Sequence, residues 1–381
     1  MKKSTCKIFS AILIFLALVQ YAAAQNSDSF TNQIMSGVSN KGQNKNKPYL
    51  TAGDRTYIVG TEDGNFPDLG SHVPGEMGGL WMQPIKLMDG FWVKLSETGT
   101  KSEAWLENAH EFINYPYGNR FFYAPVLDGI EAERFQFCPQ GKEGMAVQYQ
   151  LKNKTSRLRK LQLEFVVKTD LSPVWFSKEN NIIDAADTIY WMEDKKLLVA
   201  KDIKNPWYTV LASSLSEPHY NKNAIAPIET IGKGRTASVS CRVVMKPFQT
   251  LSVVFVISGS NKDLLTALSN NKSILKNYRQ LLNKKKEYYA AIIHRARINI
   301  SDKSLQQAYT WGKLNTEWLV SELPGLGRFL GAGAIEYPWL FGCDNSYASQ
   351  GVVASGDPEL AKSTLRLIKK VSEKVNGNGR I

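Results

Sequence analysis

Cysteine is scarce in this chain, with four among 381 residues. One of them, Cys6, lies in the extreme N-terminal segment, leaving Cys138, Cys241 and Cys343, which allow at most one bridge and exclude a disulfide-stapled scaffold. Histidine is equally sparse: His72, His110, His219 and His294 are scattered and form no short ligand pair, so no metal site is expected. A phosphate-binding loop is missing as well. Gly327 to Gly333 is glycine-rich, but it follows an expected helix and lacks the lysine and hydroxyl that cradle phosphate, so no nucleotide or other cofactor is expected. After the first two dozen residues no apolar run approaches the ~20 residues of a membrane span. The net charge of +12 includes Lys2, Lys3 and Lys7, and the remaining excess is dispersed, with small clusters at Lys152 to Lys160 and Lys284 to Lys286. Without a recognition fold this reads as solvated surface, and no nucleic-acid partner is expected.

The N-terminus combines a basic start, an apolar run from Ile8 to Val19 and the small residues Ala22-Ala23-Ala24, which reads as a secretory signal covering residues 1–24. The remainder is expected to be exported, periplasmic or extracellular. Residues 25–48 are rich in Asn, Ser, Lys and Gln without apolar period and read as a flexible leader. From 49 to 260 the pattern is that of strands. Ala237 to Met245 largely alternates, and Leu161 to Val167 and Leu251 to Ile257 are rich in β-branched residues. Many short strands separated by Gly, Pro, Asn and Asp clusters indicate an antiparallel β-sandwich.

The period then changes. Lys262 to Arg297 carries no proline or glycine and repeats leucines at helical spacing, giving one linker helix within 261–300, or two with a break near Asn270-Asn271. Ser301 and Asp302 can cap a helix running to about Leu323, a shorter helix fills Asn345 to Ala354, and Asp357-Pro358-Glu359 opens another that runs to about Val375. These helices occupy 301–381. Their apolar stripes need a partner, either the sandwich or a continuation of the chain.

The chemically informative stretch is Glu336 to Tyr347, a loop between helices that groups Tyr337, Trp339 and Phe341 near Asp344 and Glu336. Aromatic faces stack on sugar rings, while a fixed carboxylate accepts hydrogen bonds from hydroxyls. A plainer reading has equal standing on spacing alone: Asp344 caps the helix beginning at Asn345, and Trp339 and Phe341 are core. Cys343, beside a carboxylate and with no neighbouring histidine or cation, has no reason to be an activated thiolate and is expected to be a small buried pocket residue.

The Trp339-Leu340-Phe341-Gly342-Cys343-Asp344 loop, following a β-sandwich and a first helix, resembles that of the six-hairpin glycosidases, particularly bacterial glycogen-debranching-like proteins and more distantly glucoamylases. The Gly60 to Gly70 and Gly79 to Trp92 stretches also look like the sandwich domain of such proteins. The resemblance implies a sandwich followed by the first helices of an (α/α)6 barrel, apparently truncated, and an N-terminal part of a glycoside hydrolase acting on glucan-like oligosaccharides with inversion. In the family an Arg-Asp pair binds hydroxyls of the cleaved sugar. This carries over to Asp344 alone, because Cys343 stands where the arginine would be. The family places its catalytic acid and base on later barrel loops, beyond Ile381, so Asp344 is implied as a substrate ligand, with Trp339, Tyr337, Glu336 and Phe341 beside it. The competing readings are a non-catalytic carbohydrate-binding protein and an inactive fragment.

Overall fold

The computed structural model describes residues 29–378 apart from 72–74, 176, 178–180 and 335; the expected signal segment lies outside the described residues. Two large antiparallel sheets dominate. In spatial order the first contains β1 (Val38–Asn40), β7 (Glu111–Tyr115), β8 (Gly118–Leu127), β9 (Ile130–Phe137), β10 (Gly144–Asn153), β17 (Thr250–Ser260), β14 (Tyr208–Ser213), β13 (Leu197–Asp202) and β12 (Asp187–Met192). The second contains β15 (His219–Asn221), β16 (Thr236–Met245), β11 (Arg159–Thr169), β5 (Ile85–Glu97), β4 (Gly79–Met82), β3 (Tyr57–Thr61) and β2 (Pro48–Ala52), with β6 (Glu103–Trp105) paired to the end of β5.

The alternation of β11 shows why the sheets face each other. Leu161, Leu163, Phe165 and Val167 are buried on one side, while Lys160, Gln162 and Glu164 point away. Phe165 stacks on Phe255 of β17 at 4.1 Å and on Phe91 of β5 at 5.2 Å, joining the two sheets through one aromatic column. β17 breaks the alternation because both its faces are covered. Val253, Phe255 and Ile257 enter the inter-sheet core, whereas Val254 and Val256 meet a helix.

That helix is α2 (Leu264–His294), capped by the Asp263 side chain accepting from Thr266 N. Its apolar stripe, Ile274, Tyr289, Ile292 and Ile293, packs on Phe135, Phe137, Ala146, Val254 and Val256. The break expected at Asn270-Asn271 falls instead at Asn277, whose backbone leaves helical geometry. Asn271 stays helical and donates to the carbonyls of Val210 and Val256, at 3.1 and 3.0 Å, which fixes the helix to two strands. The layers are therefore sheet, sheet, helix.

Two expectations are corrected. The stretch read as a flexible leader contains a short helix, α1 (residues 29–35), whose Ile34 is buried against the α2 cluster, and the edge strand β1. Apolar residues at 30, 34 and 35 supply the small face that the polar composition masked. Second, the helix starting after Asp302, α3 (Lys303–Trp318), stops before Leu323, because β18 (Val320–Leu323) pairs with β19 (Gly327–Leu330) in a hairpin. The turn needs left-handed backbone at Gly325 and Gly327, with φ of 81° and 87°. Two more helices follow, α4 (Gly342–Ala354) and α5 (Pro358–Asn376). α5 is bounded as its sequence indicates, with Asp357 accepting from Leu360 N at its start and Gly377 left-handed at its end.

Candidate functional site

From the β18–β19 hairpin the chain turns back on itself before entering α4. Ala332 N donates to Trp339 O at 3.0 Å and Gly333 N to Tyr337 O at 2.6 Å, closing the segment into a tight loop. Gly331 packs where a β-carbon would press on the carbonyls of Leu319 and Pro338, at 3.2 and 3.3 Å. Pro338 and the glycines thus hold an irregular backbone in place.

The loop's aromatics assemble around a residue from the sandwich. Trp175, between β11 and β12, stacks on Trp339 with ring centres 4.9 Å apart and meets Tyr337 edge-on at 5.7 Å; Tyr337 in turn meets Phe341 at 6.2 Å. The Trp175 indole N–H donates to the backbone carbonyl of Glu336 at 2.7 Å. The Glu336 carboxylate faces a second sandwich loop and accepts from the backbone N–H of Ser71 and, at 3.3 Å, from its hydroxyl. Four of the five candidate residues therefore form one cluster at the junction of sandwich and helices.

Asp344 lies apart from them, on α4. It is the third residue of the helix, exposed, with its charge at the positive end of the helix. The helix starts at Gly342 rather than Asn345, and its cap position is Phe341, which makes no side-chain capping bond. Asp344 is thus not the cap. It lines a groove of about 750 Å³ between α3 and α4, together with Tyr309, Lys313 and Thr316 from α3 and Cys343 and Tyr347 from α4. Tyr337, Trp339, Phe341 and Glu336 are not among the groove-lining residues. Cys343 is exposed rather than buried, because the first turn of α4 presents it to the groove; Cys138 and Cys241 are buried, and all three thiols are free.

Lys313 is the groove residue that local sequence does not signal. Its Nζ donates to the carbonyls of Ile293 and Arg295, at 3.0 and 2.5 Å, and so satisfies the C-terminal end of α2. Burial, followed by the nearby Arg295 and Arg297 charges, pushes its ammonium down to about 8. Behind the groove Glu317 pairs with Arg328 at 3.1 Å, Arg328 and Arg295 both reach Asp357, at 3.1 and 2.8 Å, and the Tyr288 hydroxyl donates to Glu317. Ser71, Trp175, Tyr309 and Lys313 are all distant in sequence from the Trp339 to Asp344 loop, so only the fold brings them to it. Among the described residues no group of three His, Cys, Asp or Glu side chains could hold a metal ion, and no helix is long and apolar enough to cross a membrane.

No protein-family profile matches the chain, and no curated protein matches it either. Solved structures do. A bacterial glucoamylase complexed with acarbose superposes with a TM-score of 0.58 at 10% identity, over 90% of this chain and 52% of its own. A putative kojibiose phosphorylase from the human microbiome superposes at 0.56 and 11% identity, over 90% of this chain and 48% of its own. The chain shares its fold with these two structures. The likeness extends across both the sandwich and the helical part, and the chain spans about half the length of these structures. At such identity the likeness speaks for the fold alone, and the site is argued from its own residues.

Proposed function

We propose that the chain belongs to an exported, carbohydrate-active enzyme of glycoside-hydrolase type acting on glucan-like oligosaccharides, and that the α3–α4 groove holds a sugar residue. The observation that carries this reading is the composition of the groove: an exposed carboxylate, Asp344, on the first turn of α4, flanked by Tyr309 and Tyr347 and by the Thr316 hydroxyl. Ring faces take the apolar side of a pyranose, and the carboxylate accepts from its hydroxyls. The structures that share the fold support it; one is a glucoamylase complexed with acarbose, the other a putative kojibiose phosphorylase.

In this reading Asp344 is a hydroxyl ligand, and Trp339, Tyr337, Phe341 and Glu336 support the loop that leads into its helix rather than touch the sugar. Hydrolysis with inversion needs a further general acid and a base separated by about 6.5–9.5 Å, with room for water between them. Whole-protein activity is tested with maltotriose and acarbose as probes. Asp344→Ala is expected to weaken binding of both by roughly 10- to 100-fold, the worth of a hydrogen bond to a charged group. Titration calorimetry reads it. Equal affinity in the variant would remove Asp344 from the site, and binding without any turnover would keep the sugar site while removing hydrolysis. Proton NMR of the first product reads inversion directly, since a retained anomer contradicts it.

A further inference from the structure

The segment that carries Trp175 is fastened at its root. Lys86 N donates to Ser172 O at 2.8 Å and Val174 N donates to Pro84 O at 3.0 Å, so the residue before Trp175 is bonded to the β4–β5 turn. Beneath this lies a buried ionic cluster in which Lys86 Nζ is 2.5 Å from Asp89 and 3.4 Å from Asp170. Asp187, where β12 begins, accepts from the Thr169 hydroxyl at 2.6 Å and from Leu171 N at 3.1 Å, closing the far end of the segment onto its start. Trp175 itself packs against the cluster of Tyr57, Val59, Met77 and Trp81 on the outer face of the sandwich. From this fixed position it makes the stack on Trp339 and the hydrogen bond to Glu336 described above.

The helix that presents Asp344 is held further along, where Val352 packs on Leu360 and Ala361 of α5, and at its start the bond of the buried Asn345 is to Phe341 O within the same turn, at 2.8 Å. Phe341, its cap residue, makes no side-chain cap bond, and two residues separate the first turn from Trp339. We propose that Trp175 is a positioning residue for the groove: the sandwich, through this rooted indole, fixes Trp339 and with it the entry to α4 and the aim of Asp344. The inference rests on the reading of the groove as a sugar site. It assigns the sandwich a share in substrate affinity, through a side chain that does not line the groove.

Cys343, exposed beside Asp344, serves as the reporter. Its alkylation by iodoacetamide, mapped by mass spectrometry, is followed in the full chain with and without maltotriose, alongside the Trp–Trp exciton couplet in circular dichroism. Trp175→Ala is expected to remove the share of the couplet that the Trp311–Trp318 pair does not supply, to change the alkylation rate at Cys343 severalfold, and to weaken maltotriose by about tenfold or more, as a displaced binding group does. Trp175→Phe, which keeps a ring and loses the N–H donor, is expected to restore affinity to within about fivefold of wild type, the worth of one neutral hydrogen bond. That rescue separates positioning from loss of fold, and the sandwich melting temperature is the control. Should Trp175→Ala melt early, Trp175→Leu, which fills the site without a ring, takes its place, and an alkylation rate at Cys343 equal to wild type in that variant overturns the proposal. An alkylation rate unchanged in Trp175→Ala overturns it whether or not sugar binds. Failure of maltotriose to slow alkylation in the wild type overturns the sugar reading instead, and leaves the docking of Trp175 to be judged by the couplet and the rate.

Discussion

Between the two sheets, Phe91, Phe165 and Phe255 form a continuous stack from which water is excluded; in the helical part an ionic group of Glu317, Arg328, Arg295 and Asp357 ties the end of α2, α3, β19 and the start of α5 together. The contact clusters repeat the contrast. The inter-sheet core gathers side chains from nearly every strand, whereas the helical part has a small one built on Val320, Leu330, Val352, Leu360 and Ala361. Tyr347, Val353, Leu365, Val371 and Val375 remain exposed on the helices. Apolar burial is additive and undirected, while an ion-pair group depends on a few distances. The sandwich should therefore tolerate the loss of any surface charge, and the helices should not tolerate the loss of one buried carboxylate.

The largest effect expected from this contrast is in the stack. Phe165→Ala should cost about 3–5 kcal/mol, the usual result of emptying a large buried ring site, and should lower the urea midpoint of the whole chain. A loss under about 1 kcal/mol would mean that the sheets are not held through that column. Next comes Glu317→Ala, which leaves Arg328 and Tyr288 without their shared acceptor and should cost about 3 kcal/mol, confined to the helices. Hydrogen exchange is the measurement: amides of α4 and α5 should exchange faster while those of β10, β11 and β17 keep their rates. Equal acceleration in both regions would erase the distinction.

The smallest effect sharpens the comparison from the other side, because the sandwich also holds charge. Burial pushes the Asp187 carboxyl up to about 6 and raises that of Asp170 as well, against the attraction of Lys86 on the latter. Between the ordinary carboxylate value near 4 and about pH 6, the folded state then binds more protons than the unfolded one. Stability should fall as pH rises through that window, by on the order of 1–2 kcal/mol. Asp170→Asn should flatten the slope, as read from melting temperatures across pH. A slope of the opposite sign would place these carboxyls below their ordinary range.

Much of this architecture is legible in the sequence wherever the signal is local. The caps at Asp302, Asp357 and Gly377, the alternation of Leu161 to Val167 and the change of period near Lys262 are each set by neighbours within a few residues, and the elements follow them. β18 and β19 escape because their apolar residues continue the helical spacing of α3, and only a partner strand decides between the two. α1 escapes because three apolar side chains amid polar ones carry little weight until α2 is beneath them. For the site, the Tyr337 to Asp344 segment can be marked from its composition, but its division cannot. That Asp344 faces a groove while Trp339 faces Trp175 depends on where α4 begins, one turn earlier than Asn345, and on a sandwich loop more than 160 residues upstream.

In mechanical terms α2 is a propped cantilever. Its 31 residues, about 46 Å at 1.5 Å per residue, are clamped along the outer face of β17, β14 and β10, and α3 to α5 continue from its C-terminal end through residues 295–302. Two props lie nearer the tip, where the Trp318 indole donates to Pro116 O and Glu322 N donates to Asp54 O, each at 2.9 Å. A load applied to α5 therefore reaches the sandwich through these bonds, and through the contacts of Trp175 and Ser71 with the Glu336 to Trp339 loop, before it bends the beam. The groove is displaced as one piece when they give, and the compliance of the whole assembly is set by the short span at 295–302 rather than by the long helix that precedes it.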